Sequence, residues 1–383
     1  MKKNIFAENL DNAVLKQFDS CIKSEFCSGG ALMPDAHYGY VAPIGSVLVT
    51  KGIVVPSWVG YDIGCGVIAI KLEGKNFLAN IRKNSKKIHS IVGKNIPMGL
   101  GKMRAEHLLS KEGKEKFDEL IKKMKKKPHN EDVIKYIERK GKSNLGTLGH
   151  GNHFIEIDYS EKEVWMVIHS GSRHIGYFVA EHYMKEAMKL AGKKKNYEET
   201  FGLDIKSEKG KEYLNMLDFC LEFALLNRME IARQAVDSVE EVLGEKVKWK
   251  VWANKNHNHA ERIGRTNNFI HRKGATPSKK GEKGIVPGNM RDGSSLVIGK
   301  GNKDFFESSS HGAGRAMSKK TAKQTITMEK FEKTMKGIVA DVGKETIDEA
   351  PFAYKDIWSV MKQQEKSVRV HKHLKPLINW KGK

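Results

Sequence analysis

The chain has 383 residues, 39% of them hydrophobic and 36 of them glycine, which is enough to bury a large core in a turn-rich globular protein. Lysine and arginine number 68 against 46 acidic residues, and a formal charge of +22 points to a polyanionic partner, nucleic acid foremost. The cysteines at 21, 27, 65 and 220 form no Cys-x-x-Cys pair, which excludes a zinc ribbon and a disulfide framework and leads us to expect a reducing cytoplasm; Glu8 and Asp11 break any signal-like start, and no apolar run is long enough to cross a bilayer.

Taken in chain order, Ala42 to Thr50 and Gly66 to Leu72 are rich in Val and Ile and bounded by Gly or Pro, which predicts two strands with Asp62 to Cys65 as the turn entering the second. Residues 105–140 read as a helical and very basic segment, with Lys122, Lys123, Lys125, Lys126 and Lys127 around Met124 and a stop at Pro128. Such a run is either an RNA-facing arm or a solvated face. Phe154 to Ile157 and Val164 to Ile168 predict short buried strands, with His153 entering one and His169 leaving the other. Lys211 to Leu243 predicts the longest helix, and Val247 to Ala253 a strand that leads into His257. Arg272 to Arg291, full of Gly and Pro, reads as loop; Leu296 to Ile298 reads as strand, Ser308 to Gly314 as turn and Arg315 to Lys336 as helix. Without a regular β-α-β rhythm the fold class is α+β with a mixed or antiparallel core. No sharp boundary divides the chain, so residues 1–383 are expected to form one catalytic domain that contains the basic segment.

Several of these junctions carry chemistry. Asp62 and Cys65 stand three apart across a glycine turn, and His153, His169 and His257 each lie where an apolar strand meets a polar turn. Imidazole, thiolate and carboxylate together suit a transition metal better than Mg or Ca. Five ligands are many for one ion, whereas a Cys65 thiolate bridging two ions leaves each with open positions, the pattern of a catalytic site. His150, His174 and His259 are rivals for the same role; His259 follows His257 by two, so on an extended segment only one of them enters. In Ser308-Ser309-Ser310-His311-Gly312-Ala313-Gly314-Arg315, the small Gly312 and Gly314 let a phosphate approach the backbone, a following helix start favours its charge, and Arg315 is placed to clamp it. A neutral His311 can act as a nucleophile toward phosphorus. His169-Ser170-Gly171-Ser172-Arg173 offers a second arginine, Arg173, and the loop from Pro287 to Ser294, with Asn289, offers groups for a base edge or ribose.

Read in order, the blocks Met33-Pro34-Asp35-Ala36-His37-x-Gly39, Val59-Gly60-x-Asp62-Ile63-Gly64-Cys65-Gly66, Gly151-Asn152-His153-Phe154, His169-Ser170-Gly171-Ser172-Arg173, His257-Asn258, Arg272-Lys273-Gly274-Ala275, Pro287-Gly288-x-Met290, His311-Gly312-Ala313-Gly314-Arg315 and Glu349-Ala350-Pro351-x-Ala353-Tyr354 resemble the RtcB family of RNA-splicing ligases over nearly the whole chain. The resemblance implies that family's α/β architecture, with a central cleft for metal and GTP. It implies a GTP- and Mn(II)-dependent enzyme that joins RNA ends bearing a 2′,3′-cyclic phosphate or 3′-phosphate to 5′-hydroxyl ends, in tRNA splicing or RNA repair, with an archease-type activator as a partner of the family. By matching blocks, His311 is the guanylylated histidine, Asp62, Cys65 and His153 hold one manganese, and Cys65, His169 and His257 hold the other. Asn152 contacts the nucleotide, Glu156, Ser294 and Lys381 read the guanine, and Asp35, Arg173 and Lys319 face RNA or phosphate. The chain departs from the family at Asn289, Arg291, Asp292 and Gly293, in a loop that usually reads Pro-Gly-Ser-Met-Gly-Thr-Ala-Ser, and at Lys319, usually arginine. It is also short for the family, which suggests a divergent subgroup inclined to repair. A dinuclear phosphohydrolase acting on RNA ends, or a noncatalytic RNA-binding protein, is the alternative.

Overall fold

The computed structural model describes residues 2–382. Strand-forming Val and Ile runs build two main sheets. One runs Lys2–Ile5, Cys27–His37, Ile44–Lys51, Asn268–Lys273 and Asn258–Arg262, with the first pair parallel and the others antiparallel. The other is antiparallel along its path, in the order Lys283–Pro287, Ser294–Gly299, Val368–Lys381, Phe154–Ser160, Glu163–Ser170, Gly66–Glu73 and Lys248–Asn256; Val339–Ala340 adds a parallel pairing to Val368–Lys381. His257 lies between Lys248–Asn256 and Asn258–Arg262, so the chain passes from one sheet to the other at that residue.

Alternation sets which side chains meet. On Phe154–Ser160, Ile155 and Ile157 pack with Ile81, Ile88, Ile231 and Val236 from the helices Phe77–Asn95 and Glu208–Leu243. Phe154, on the opposite face, joins Val67, Val167 and Leu374. Antiparallel register then fixes a row across that face: Lys381 is opposite Phe154, Phe154 opposite His169, and His169 opposite Val67. The next row places Asn379, Glu156 and Val167 side by side. Residues more than two hundred positions apart in sequence are thereby aligned.

Three sequence expectations need correction. The stretch Arg272 to Arg291 holds strands ending at Lys273, Pro277 and Pro287, because Gly274 (φ 63°) and Gly281 (φ 79°) make tight turns between short strands instead of open loop. The helix expected from Arg315 to Lys336 is two helices, Lys319–Thr325 and Met328–Thr334, each started by its own cap, Ser318 and Thr327. His311 to Gly314 therefore do not sit at a helix start, and a phosphate there gains no helix dipole. The turn expected from Ser308 to Gly314 begins as a strand, Ser308–Ser310, paired with Ala275–Pro277. The basic segment is helical on both sides of the stop at Pro128, as Lys111–Lys125 and Glu131–Asn144, with Ser110 and Asn130 capping the two α-helices.

Candidate metal and nucleotide site

The two sheets meet around a cavity of about 830 Å³ whose walls include Asp62, Cys65, His153, His169, His257 and His311. The turn Asp62 to Cys65 is closed by a bond from the Cys65 amide to the Asp62 carbonyl, 3.0 Å, which presents carboxylate and thiol on one side. Cys65 Sγ stands 3.3 Å from His153 Nε2 and 3.2 Å from His169 Nε2. The donor atoms of these three residues all lie within 4.8 Å of one another, and all three side chains are buried. Asp62 joins on one flank, its Oδ2 3.0 Å from His153 Nε2; His257 joins on the other, its Nε2 3.3 Å from that of His169. His259, two residues on, turns away and accepts from Arg272 at 3.1 Å. His174 is on the exposed rim.

The surroundings prepare these groups as ligands. His153 Nδ1 donates to the Leu148 carbonyl (2.9 Å) and His169 Nδ1 to the Asn152 carbonyl (3.2 Å), which fixes the tautomer that turns each Nε2 lone pair inward. Burial holds His169 and His257 well below the usual imidazole range, with the neighbouring imidazoles adding to it, so both are neutral. Burial, with the Asp62 charge beside it, drives the Cys65 thiol well above its ordinary value, a penalty that a bound cation reverses by taking the thiolate as ligand. Asp62 Oδ1 is buried with no partner, as a group awaiting a cation would be. Gly171 is required beside it, since a Cβ there would come within 2.3 Å of that oxygen. Beneath the cradle the fully buried Arg228 donates to the carbonyls of Gly64 (3.0 Å) and Ser170 (2.8 Å), tying the Asp62 turn to the end of the His169 strand. The donor set of imidazoles, thiol and carboxylate fits a transition metal ion.

His311 stands next to the cradle, its ring centroid 4.8 Å from that of His257. Its Nδ1 donates to Asp35 Oδ2 at 2.6 Å, and the same oxygen accepts from the His311 amide at 3.1 Å. This pins the ring and leaves the lone pair on Nε2. Burial raises Asp35, but His311, with His37 and Ser310 adding to it, outweighs that and holds the carboxyl below its ordinary value. Asp35 was expected to face RNA; fully buried behind His311, it has no surface to do so.

Farther along the cavity, Lys381 Nζ lies 5.3 Å from the Phe154 ring centre and 5.9 Å from that of Tyr354. Glu156 lines the same end and accepts from Asn379 at 2.7 Å; burial raises it to about 7 against the pull of that bond and of Lys381. Asn152, Gly312 and Gly314 also line the cavity, as do Arg173 and Lys319. Gly314 (φ 75°) packs so closely that a Cβ would meet the Asp35 carbonyl at 2.2 Å. Three expected contacts change. Gly293, not the buried Ser294, reaches the wall. Asn289 lines it but uses its side chain to hold its own turn, donating to Asp292 at 2.7 Å. Arg315 lines the cavity but gives donors to Met317, Glu349 and Asp348, which hold it to the wall.

Glu349 explains why. This buried carboxylate accepts from Tyr354, from Arg315 at 3.2 Å and from Lys381 at 3.3 Å, with Lys319 at 3.6 Å. In the sequence Glu349 and Tyr354 stand in one block with no task of their own; a buried acid among Lys and Arg is visible only when distant segments are brought together. Asn227 was missed too, though it binds the Gly146 amide (2.8 Å) and the Gly171 carbonyl (3.0 Å) and so joins two site turns.

Residues 20–382 match the family model described as tRNA-splicing ligase RtcB. The chain is 31% identical over 369 residues to "RNA-splicing ligase RtcB1" of Escherichia coli (strain ATCC 25922), covering 92% of this chain and 90% of that protein. Against "RNA-splicing ligase RtcB" of Escherichia coli K12 the identity is 31% over 371 residues, with 92% and 90% covered. Against "tRNA-splicing ligase RtcB" of Methanococcus maripaludis it is 30% over 432 residues, with 92% and 88% covered. With the cradle, the pinned histidine and the basic charge already in place, these matches make the conclusion plain: the chain belongs to the RtcB family of RNA-splicing ligases.

Proposed function

We propose that this protein joins RNA ends bearing a 2′,3′-cyclic phosphate or 3′-phosphate to 5′-hydroxyl RNA ends in the cytoplasm, using GTP and two Mn(II) ions, as one catalytic domain. The observation that carries the reading is the His311–Asp35 pair beside the ligand cradle. With Nδ1–H held by Asp35, the His311 Nε2 lone pair is free to form a bond to the α-phosphorus of GTP as pyrophosphate leaves. The ring becomes cationic as that bond forms, and Asp35, 2.6 Å away, stabilises it. An oxygen of the RNA 3′-phosphate then displaces His311 and takes the GMP, after water has opened any cyclic phosphate. Attack by the 5′-hydroxyl oxygen on the activated 3′-phosphate expels GMP and closes the strand.

Asp62, Cys65 and His153 would hold one cation and Cys65, His169 and His257 the other; bound there, the ions supply charge stabilisation for the transferring phosphates. Phe154 and Tyr354 provide apolar walls for a base, Glu156, raised to about 7 by burial, accepts in its ionised form from the N–H groups that guanine, unlike adenine, presents next to its carbonyl, and Lys381 donates to an acceptor edge. Arg173 and Lys319 attract phosphate; Lys319 is 53% exposed and is a point charge where a fork would be bidentate.

Incubation with radiolabelled GTP and Mn(II) is expected to leave a covalent label on the wild-type protein and none on His311→Ala. An unlabelled wild type, or metal-dependent phosphate release indifferent to GTP and to His311→Ala, would replace this reading with a phosphohydrolase.

A further inference from the structure

A run of aromatic side chains crosses the mouth of the cavity, outside the cradle and the nucleotide end. Tyr61 and Tyr177 stack at 4.8 Å with their planes 17° apart, and Tyr177 and His174 continue at 5.5 Å and 3°. Tyr40 meets Tyr61 edge-on at 5.9 Å, and Tyr136 follows His174 at 6.2 Å. All five line the cavity, yet Tyr40 is 67% and Tyr177 40% exposed. Large rings left in water at a rim, instead of being folded into the core, mark a surface that something else covers.

The rings are also held in place. Tyr61 donates its hydroxyl to Glu198, so the ring cannot swing away from Tyr177, and Tyr136 is backed by Phe178 in a stack of 3.8 Å. Basic groups alternate with them. Lys102 and Lys140 line the same mouth, and the Arg139 guanidinium lies 5.8 Å from the Tyr136 ring centre. Fixed π surfaces interleaved with cations, on a chain of formal charge +22, select a flexible polyanion that carries flat rings.

We propose that this aromatic rim is a stacking platform for unpaired bases of the RNA strand whose end enters the cavity. The proposal rests on the ligase reading for the identity of the strand. Bases stack on the exposed Tyr40 ring and extend the Tyr61–Tyr177–His174 column from its open ends, with Tyr177 holding the column together, while Lys102 and Lys140 track the phosphates. Because every base has a π face, the platform accepts strands of differing sequence and disfavours an end already paired in a duplex.

Fluorescence anisotropy with a labelled single-stranded oligoribonucleotide ending in a 5′-hydroxyl, compared with an abasic strand of equal length and charge, tests it. The wild type is expected to bind the base-bearing strand about tenfold more tightly than the abasic one. Combined Tyr40→Ala and Tyr177→Ala should abolish that preference, whereas combined Tyr40→Phe and Tyr177→Phe should keep it. Equal wild-type affinity for the two strands overturns the platform, and that comparison needs no variant to fold. A Phe pair that loses as much as the Ala pair overturns it as well, since the hydroxyls and not the rings would then be responsible. Binding does not require GTP, so the two readings fail separately: a wild type that prefers bases but takes no label from GTP refutes the ligase, and one that takes label but shows no base preference refutes the platform.

Discussion

Replacing Asp35 with Asn removes one charge while keeping the shape of the side chain that pins His311. The carboxamide oxygen can still accept from Nδ1, so the ring stays in place; what is lost is the attraction to the imidazolium that forms as Nε2 bonds to phosphorus. For charges about 4 Å apart at an effective dielectric of about 20, that attraction is on the order of 4 kcal/mol. Measured charge-assisted hydrogen bonds give about 1.5–3 kcal/mol, a lower bound for the same interaction. Asp35 is fully buried and its Oδ2 is 2.6 Å from Nδ1, so water does little to screen the pair. Between these limits, with each 1.4 kcal/mol worth a factor of ten, the first step should slow by roughly 10- to 1000-fold. The assay is the single-turnover rate of label transfer from GTP in Mn(II), with bound metal counted to confirm that the cradle is unchanged. Asp35→Ala, which also frees the ring, should be slower still. Labelling of a fully metal-loaded Asp35→Asn within about threefold of wild type, less than 1 kcal/mol, would show that Asp35 contributes nothing to this step and that the pairing is only structural.

Other outcomes follow from the same geometry. Cys65→Ala removes the atom shared by both flanks and should lose both ions after dialysis against low metal, whereas His257→Ala should lose one; metal counting by mass spectrometry that finds one ion retained in Cys65→Ala would contradict the shared thiolate. Gly171→Ala puts a Cβ against Asp62 Oδ1, 2.3 Å away, and should weaken metal retention about tenfold or more through displacement of that carboxylate, as titration with Mn(II) would show; unchanged retention would mean that the turn yields without moving Asp62. Glu156 has its folded value raised to about 7 from an ordinary 4.5, so the unfolded chain gives up this proton first and folding stability falls as pH rises from about 4.5 to about 7, then levels. Glu156→Gln removes its share of that slope, the buried Asp158 beside it keeping its own, and should be more stable than wild type at pH 8 with little difference near pH 4.5. Urea melts at the two pH values decide it, and a gain of equal size at both would refute the buried-carboxyl account.

The site-bearing turns could be read from the chain because their chemistry is local. Asp62 to Cys65 needs only a glycine turn and two side chains three apart, and His153, His169 and His257 lie at strand ends that Val and Ile runs make plain. The helix Glu208–Leu243 was legible for the same reason, its apolar periodicity being strong. Where sequence misled, a local rule was overridden. Gly and Pro from 272 to 291 suggested open loop, but they sit at turns between strands whose pairing comes from elsewhere, such as Lys283–Pro287 against Ser294–Gly299. A continuous helix was expected across Thr327, yet its hydroxyl accepts from the Lys330 amide and starts a second helix.

By itself, then, the sequence determined residue type and turn chemistry: five ligand-type side chains, a histidine in a small-residue loop and a large positive charge. Only the tertiary structure decided partnership. It set Asp35 behind His311 across 276 positions, gave Glu349 the donors once assigned to phosphate, kept Ser294 off the wall, and gathered five rings at the mouth. The physical reason is that turn geometry and hydrophobic period depend on near neighbours, whereas which donor meets which acceptor depends on strand register and sheet packing, which bring together residues that the chain itself keeps far apart.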